Sequence, residues 1–344
     1  DAKAPGYVSA QDMESLRKRL VKGYGKVHDA GGYDFVVAGG GVAGMCAAVS
    51  AARLGLKVAL IHNRPVLGGN NSAEVRVHLG GSIECEPYPN LGNLIKEFGH
   101  TTKGNANPAE CYEDGKKMDF VRNEKNISLF LNTHVTDVEM DGSAIGALLA
   151  RDIRTGQLLR FKAPLFADCT GDANVGFLAG ADWRSGRESF DETGEPGAVK
   201  TADRQVLGAS VQWYSKDTGA ASPFPVFEYG KTFTEESVQK VRKGEWTWET
   251  GMLRDQIYEA ERIRDHGLLV VYSNWSFLKN RSSVREEYSD LALEWVAYIA
   301  GKRESRRMVG EYIITQRDIS DGVVFHDEIA FGGWPLDDHF PGGF

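Results

Sequence analysis

The chain has 344 residues, 42% of them hydrophobic and 26% charged, with a net charge of −8 from 40 basic and 48 acidic side chains. That is enough apolar mass for a sizeable core, in two domains or in one domain with an insertion. An acidic balance without a long basic run argues against a nucleic-acid partner, and no apolar span of about 18 residues offers a membrane-crossing helix. Four cysteines, Cys46, Cys85, Cys111 and Cys169, contain no C-x-x-C pair, so dithiol-redox and zinc-finger spacings are excluded and no metal site is expected. Cys46 and Cys169 read as buried apolar thiols, while Cys85 and Cys111 could pair. The chain starts at Asp1 without Met, which fits a trimmed chain or a removed signal peptide, so exported and cytoplasmic locations both stay open.

Ser9–Leu20, with acids early and bases late, predicts a surface helix in an N-terminal extension over residues 1–32. Tyr33–Ser72 is the stretch around which the rest is organised. Phe35–Ala38 is a short apolar strand, Gly39, Gly41 and Gly44 spell G-x-G-x-x-G, Met45–Leu54 is helix-forming, and Lys57–Ile61 is a second apolar strand. Strand, glycine turn, helix, strand is the context a dinucleotide fingerprint requires. Gly39 makes the turn, Gly41 lets backbone approach a pyrophosphate, and Gly44 lets the helix lie close on the sheet. The helix N-terminus, at Val42 and Ala43, offers unbonded N–H groups to the phosphates. The acid that usually ends the fingerprint is missing; His62 and Asn63 stand there, and either can bond a ribose hydroxyl. Arg64 could instead suit a 2′-phosphate.

Arg64–Ser72 carries a second glycine turn, Gly68-Gly69-Asn70. It resembles the two-dinucleotide-binding-domain flavoproteins, in which a Gly-Gly turn after the second strand backs the FAD pyrophosphate; the resemblance implies FAD rather than NAD. Some of those proteins bond flavin covalently through a histidine several residues before a Gly-Gly. Glu74 holds that place here, which implies non-covalent FAD. Ala73–Ser82 alternates through Val75, Val77 and Leu79 and reads as a strand or extended loop, with Arg76 and His78 on the other face. In a flavoprotein this segment can run towards the isoalloxazine, making Arg76 and His78 candidates for substrate anion binding or proton transfer. A surface strand with polar outer residues explains them equally.

A short helix is predicted at Leu91–Phe98, then strands at Ile127–Leu131, Thr133–Met140, Ala144–Arg151 and Gln157–Phe161, with Asp141-Gly142 as a hairpin turn. The flavoprotein resemblance places backbone of Val135 near the adenine. Ala163–Ala181 is an apolar strand ending in Asp168-Cys169-Thr170-Gly171-Asp172, followed by a small-residue helix. Thr170 and Gly171 stand where those flavoproteins carry Ala-Thr-Gly beside the cofactor, Gly171 permitting close approach and Asp172 accepting a ribose or ribityl hydroxyl.

At this point the chain resembles one family, the FAD-dependent oxidoreductases that join RPVLGGN-S-E-R to DCTGD…LAGA. The likeness continues through Trp248-Glu249, Asp255–Arg264, Asn274-Trp275, Leu278–Asn280, Arg303–Tyr312 and Phe331–Pro335. It implies a Rossmann-like α/β FAD-binding domain, with a parallel sheet, helices on both sides and a small antiparallel sheet, holding an inserted α+β substrate domain. The expected division is 33–185 for the FAD-binding domain, 186–302 for the substrate portion and 303–344 for the return. The resemblance also implies a flavin-contacting strand and helix after Gly-Gly-Trp-Pro; residues 336–344 show no such segment, so either a fragment of a longer protein or an incomplete flavin site is expected.

In the substrate portion, Gln205–Tyr214 predicts a strand, and Thr234–Lys243, Leu253–Asp265 and Asp290–Ala300 predict helices. Trp213, Trp246, Trp248, Trp275 and Trp334 could form a sugar-stacking surface or simply pack the core. Arg303, Arg306 and Arg307 could capture an anion or face solvent beside Glu304 and Glu311. His339, with Asp337 and Asp338, resembles an acid–base group, and an exposed loop explains the three residues equally. The expected function is hydride transfer between FAD and a small organic substrate, carbohydrate-derived molecules among them. An NAD(P)-dependent Rossmann enzyme and a non-catalytic nucleotide-binding module are the alternatives.

Overall fold

The computed structural model describes residues 10–20, 25–99, 104–328, 331–334 and 343–344. They fall into two compact units, one within 1–67 and 118–181 and the other within 68–117 and 182–344.

The first unit is built on a parallel sheet of β2 (Phe35–Ala38), β3 (Val58–Ile61), β4 (Ile127–Phe130) and β8 (Leu165–Asp168), in the order β4-β3-β2-β8. Val36, Val37, Ala38, Val58, Ala59 and Leu60 have no exposed surface, as central strands covered on both faces require. The crossover helix Val42–Arg53 joins β2 to β3 and buries Gly44, Met45, Ala48, Val49, Ala51 and Ala52. A stripe of such small residues lets a helix lie close to a sheet.

A second sheet contains β1 (Val27–Gly32), β5 (Thr133–Asp141), β6 (Ala144–Asp152) and β7 (Leu158–Lys162), ordered β1-β7-β6-β5. β1 pairs with β7 in parallel; the other pairings are antiparallel, with Asp141 opposite Ala144 at the expected hairpin. The two sheets share a core of Val36, Ala38, Ala59, Ile61, Val135, Leu148, Ala150 and Phe161, where Phe130 meets Phe161 edge-on at 4.8 Å. This is the Rossmann-like α/β architecture expected. The N-terminal helix spans Ala10–Leu20.

In the second unit an antiparallel sheet of Lys243–Gly244, Trp213–Asp217 and Leu291–Val296 packs with a 21-residue helix, Ala260–Asn280. Three sequence expectations are corrected here. Asp290–Ala300 is not helical: Leu291–Val296 pairs with Trp213–Asp217, and a partner so distant in sequence overrides local helix propensity. Thr234–Lys243 is not helical either, because the Asn274 amide takes the Gln239 backbone on both sides, at 2.8 and 3.0 Å. The helix expected at Leu253–Asp265 starts at Ala260 and runs on to Asn280. Ala73–Ser82 forms no strand: Ala73–Val75 make a turn in which Arg76 N–H donates to Ser72 O at 2.8 Å, and only the residues after it run as an irregular loop. All four cysteines are free thiols, and no described helix is long and apolar enough to cross a membrane.

Candidate functional site

In the first unit the fingerprint turn is fixed by contacts that leave no room for side chains. Gly39 has φ +106°, and a Cβ there would lie 2.1 Å from the Cys169 carbonyl oxygen; one on Gly44 would lie 1.8 Å from the Gly39 carbonyl oxygen and 3.2 Å from Cys169 Cβ. The glycine corner and the Cys169-Thr170-Gly171 corner are therefore in backbone contact, and Cys169 N–H donates to Ala38 O at 2.7 Å. Gly41 differs. A Cβ built on it meets nothing within 4 Å, and its φ of −68° suits any residue. The chain keeps a side chain out of a space that its own atoms do not fill.

The crossover helix begins at that space. Its first intrahelical bond runs from Met45 N–H to Gly41 O at 2.9 Å, so the N–H groups of Val42, Ala43 and Gly44 precede the ladder and have no helical carbonyl to bond. The first turn holds no acidic side chain to compete with a phosphate. Open space at Gly41, amides with no helical acceptor and a helix dipole together fit a diphosphate group.

His62 was expected to reach a ribose; the structure turns it inward. It is 6% exposed, its Nδ1 accepts the Gly40 N–H at 2.9 Å, and its Nε2 lies 3.0 Å from Val66 O. Since Nδ1 accepts, the hydrogen sits on Nε2 and donates to Val66. His62 thus serves the turn, which leaves Asn63, exposed at the strand end, and the half-buried Arg64 beside it as the polar side chains there.

The Thr170-Gly171-Asp172 corner is organised by Asp168, which the sequence reading passed over. One carboxylate oxygen accepts Thr170 N–H at 3.1 Å and Thr170 Oγ1–H at 2.6 Å; the other accepts Val175 N–H at 2.7 Å and Gly176 N–H at 3.1 Å. Gly171 is in the left-handed region at φ +79°, with open space at its Cβ position. Asn174 donates to Val135 O at 3.3 Å, tying this corner to the strand expected to run beside the adenine. His134, on the same strand, is pushed below the usual histidine value by desolvation, with Asp172 pulling it back up.

The second unit holds Gly68, Gly69, Asn70, Arg76 and His78. Gly68 is left-handed at φ +111°, and a Cβ on it would lie 2.9 Å from the Lys117 side chain. Lys117 has no exposed surface. Its ammonium donates to the carbonyls of Asn71 and Tyr112 and lies 3.5 Å from Asp114, whose carboxylate accepts Ala73 N–H at 3.1 and 3.2 Å. Burial lowers the pKa of Lys117 and raises that of Asp114. This clamp sets the second glycine turn, and no residue next to that turn in the sequence marks it. Asn70 is exposed and donates to Lys302 O at 2.8 Å.

Arg76 is 8% exposed and left-handed at φ +70°. It donates to Ala73 O at 2.9 Å and Asn107 O at 3.1 Å, and its guanidinium lies 3.8 Å from the Trp295 ring centroid. These contacts tie Arg76 into the loop that carries His78, with its guanidinium buried against an indole rather than on an outer strand face. His78 is half-buried, with Nδ1 2.8 Å from Asn105 Oδ1. His339 lies outside the described residues. Arg303 pairs with Glu249 at 2.7 Å, and Arg307 with Glu188 and Glu304, so these two arginines are matched by carboxylates, while the Arg306 guanidinium lies 5.5 Å from the Trp183 ring centroid. Trp213, Trp248 and Trp275 are buried in one edge-on core cluster, while Trp334 is 58% exposed.

A glycine corner docked on a Thr-Gly corner, with an open cradle at the helix mouth, defines a dinucleotide-binding protein. The model of the family "FAD dependent oxidoreductase" matches residues 34–344, and the chain belongs to that family. Its cofactor is FAD. Among solved structures the chain is similar to the 3-ketosteroid-delta4-(5alpha)-dehydrogenase from Rhodococcus jostii RHA1, at 13% identity and TM-score 0.37, covering 46% of this chain and 57% of that one. A myxobacterial chondrochloren halogenase, CndH, matches at 15% and 0.35, over 56% and 45%. L-proline dehydrogenase from P. horikoshii matches at 19% and 0.27, over 42% and 24%. In each case the chain spans less than two thirds of the other protein's length.

Proposed function

We propose that the protein is an oxidoreductase that moves a hydride between a small organic substrate, a sugar-derived carbinol in the first instance, and non-covalently held FAD. The observation that carries this reading is the open space at Gly41 beside glycines that are locked on Cys169. When bound, FAD supplies a two-electron hydride acceptor. The amides of Val42, Ala43 and Gly44 hold the diphosphate; Asn63 and Asp172 are the side chains for its hydroxyls, and Thr170 and Gly171 form the wall held by Asp168. His78 moves the substrate proton, on a loop that Arg76 braces against Trp295. The exposed indole of Trp334 beside Gly80 suits the apolar face of a ring.

The absorbance spectrum of the purified protein tests this directly. Bound oxidised flavin makes it yellow, and a substrate that donates hydride bleaches that colour. A colourless protein that binds NADPH through Arg64 replaces the flavin reading, and one that holds FAD but is reduced by no donor leaves a nucleotide-binding module.

A further inference from the structure

His78 and Asn105 meet twice. The His78 backbone N–H donates to Asn105 Oδ1 at 3.0 Å, and the ring Nδ1 lies 2.8 Å from the same atom. An amide nitrogen cannot accept an N–H, so the backbone donor identifies that amide atom as the oxygen. An oxygen facing Nδ1 then requires a hydrogen on Nδ1. The neutral ring is therefore the Nδ1–H tautomer, with its lone pair on Nε2. Asn105 is held against turning. It is 4% exposed, its own carbonyl accepts from Lys243 Nζ at 3.3 Å, and the neighbouring Ala106 N–H donates to Arg76 O at 3.0 Å.

Nε2 makes no hydrogen bond among the described residues. It stands at Gly80, where the Trp334 indole packs: a methyl built there would lie 3.4 Å from Nε2 and 2.9 Å from Cζ3 of the indole, too close to fit. We propose that Asn105 is a positioning residue that fixes His78 as the Nδ1–H tautomer and so makes Nε2 the proton-exchanging atom beside the Trp334 ring. This rests on the proton-transfer role given to His78 above. In that step the O–H bond of the substrate breaks, its electron pair stays on oxygen, and a new N–H bond forms at Nε2 to give the imidazolium.

The test is a long-range proton–nitrogen correlation spectrum of the imidazoles in the nitrogen-15-labelled full chain, with the His78 signals assigned by their loss in His78→Gln. The expected result is a neutral His78 with hydrogen on Nδ1. That pattern is lost in Asn105→Leu, where the ring takes the Nε2–H form favoured by histidine in water, and it is kept in Asn105→Asp, which still accepts from Nδ1. An Nε2–H ring in the unsubstituted protein overturns the inference, even if Asn105→Leu fails to fold; so does an unchanged ring in a folded Asn105→Leu. The readout needs neither flavin nor substrate, so it can fail while the absorbance test succeeds, or the reverse.

Discussion

The turn at Gly39–Gly44 and the turn at Gly68–Gly69 use the same residue type and are held by different means. The first is shaped by backbone against backbone: Gly39 and Gly44 leave no room for a Cβ, and the carbonyl of Cys169 forms the opposing wall. The second is shaped by side chains, the buried Lys117 ammonium gathering two carbonyls and Asp114 holding Ala73. A turn held by backbone needs only glycine at fixed spacing, whereas one held by a clamp needs a cation and an anion placed far along the chain.

Among variants that should still fold, the largest effect that could break this comparison is at the clamp. Lys117→Met leaves two buried carbonyls and Asp114 without their partner and should cost about 3 kcal/mol, read as a shift of the urea unfolding midpoint. A midpoint that does not move would mean that the second turn holds itself.

Next comes Gly41→Val. The new side chain enters empty space at a backbone conformation open to valine, so the melting temperature should stay within about 2 °C, while FAD retention falls at least about 100-fold, equivalent to about 2.7 kcal/mol. Equilibrium dialysis against FAD measures it. Retained affinity would remove the diphosphate from this turn. Gly39→Val sharpens the contrast, because there the fold itself should fail.

The alkaline limb tests the Tyr112 support of the same clamp region. Tyr112 Oη–H donates to Arg76 O at 2.7 Å, and burial pushes the phenol up to about 12. The folded state then holds a proton that the unfolded chain releases near pH 10. Stability is full below pH 10 and declines as pH rises from about 10 to about 12, by no more than about 2.7 kcal/mol. Tyr112→Phe should flatten that decline in urea titrations; an unchanged slope would assign it to another group.

The smallest effect belongs to the first unit's surface. Arg53 pairs with Glu124 at 2.7 Å with 40% of its side chain exposed, and Arg53→Gln should shift stability by about 0.5 kcal/mol or less. A larger loss by calorimetry would show that the crossover helix is also pinned by charge.

The first unit was readable because its signals are local. Apolar runs at Phe35–Ala38 and Val58–Ile61, glycines between them and Asp141-Gly142 at the hairpin each state their own conformation within a few residues. The second unit was less so. Leu291–Val296 became a strand because Trp213–Asp217 was there to pair with it, and the Gln239 backbone was taken by Asn274 before a helix could claim it. Asp168 and Asn105 were missed because their value lies in what they hold, Thr170 in one case and His78 in the other.

By itself the sequence determined the order of the parallel-sheet elements, the place of the glycine cradle and the family, since glycine spacing and apolar periodicity act over neighbouring residues. Only the tertiary structure decided that His62 turns inward, that Arg76 lies against Trp295, that Lys117 carries a glycine turn and that Asn105 sets the tautomer of His78. Each of those depends on a hydrogen-bond or ring partner supplied by a distant part of the chain, and a buried polar group takes whichever partner folding brings to it.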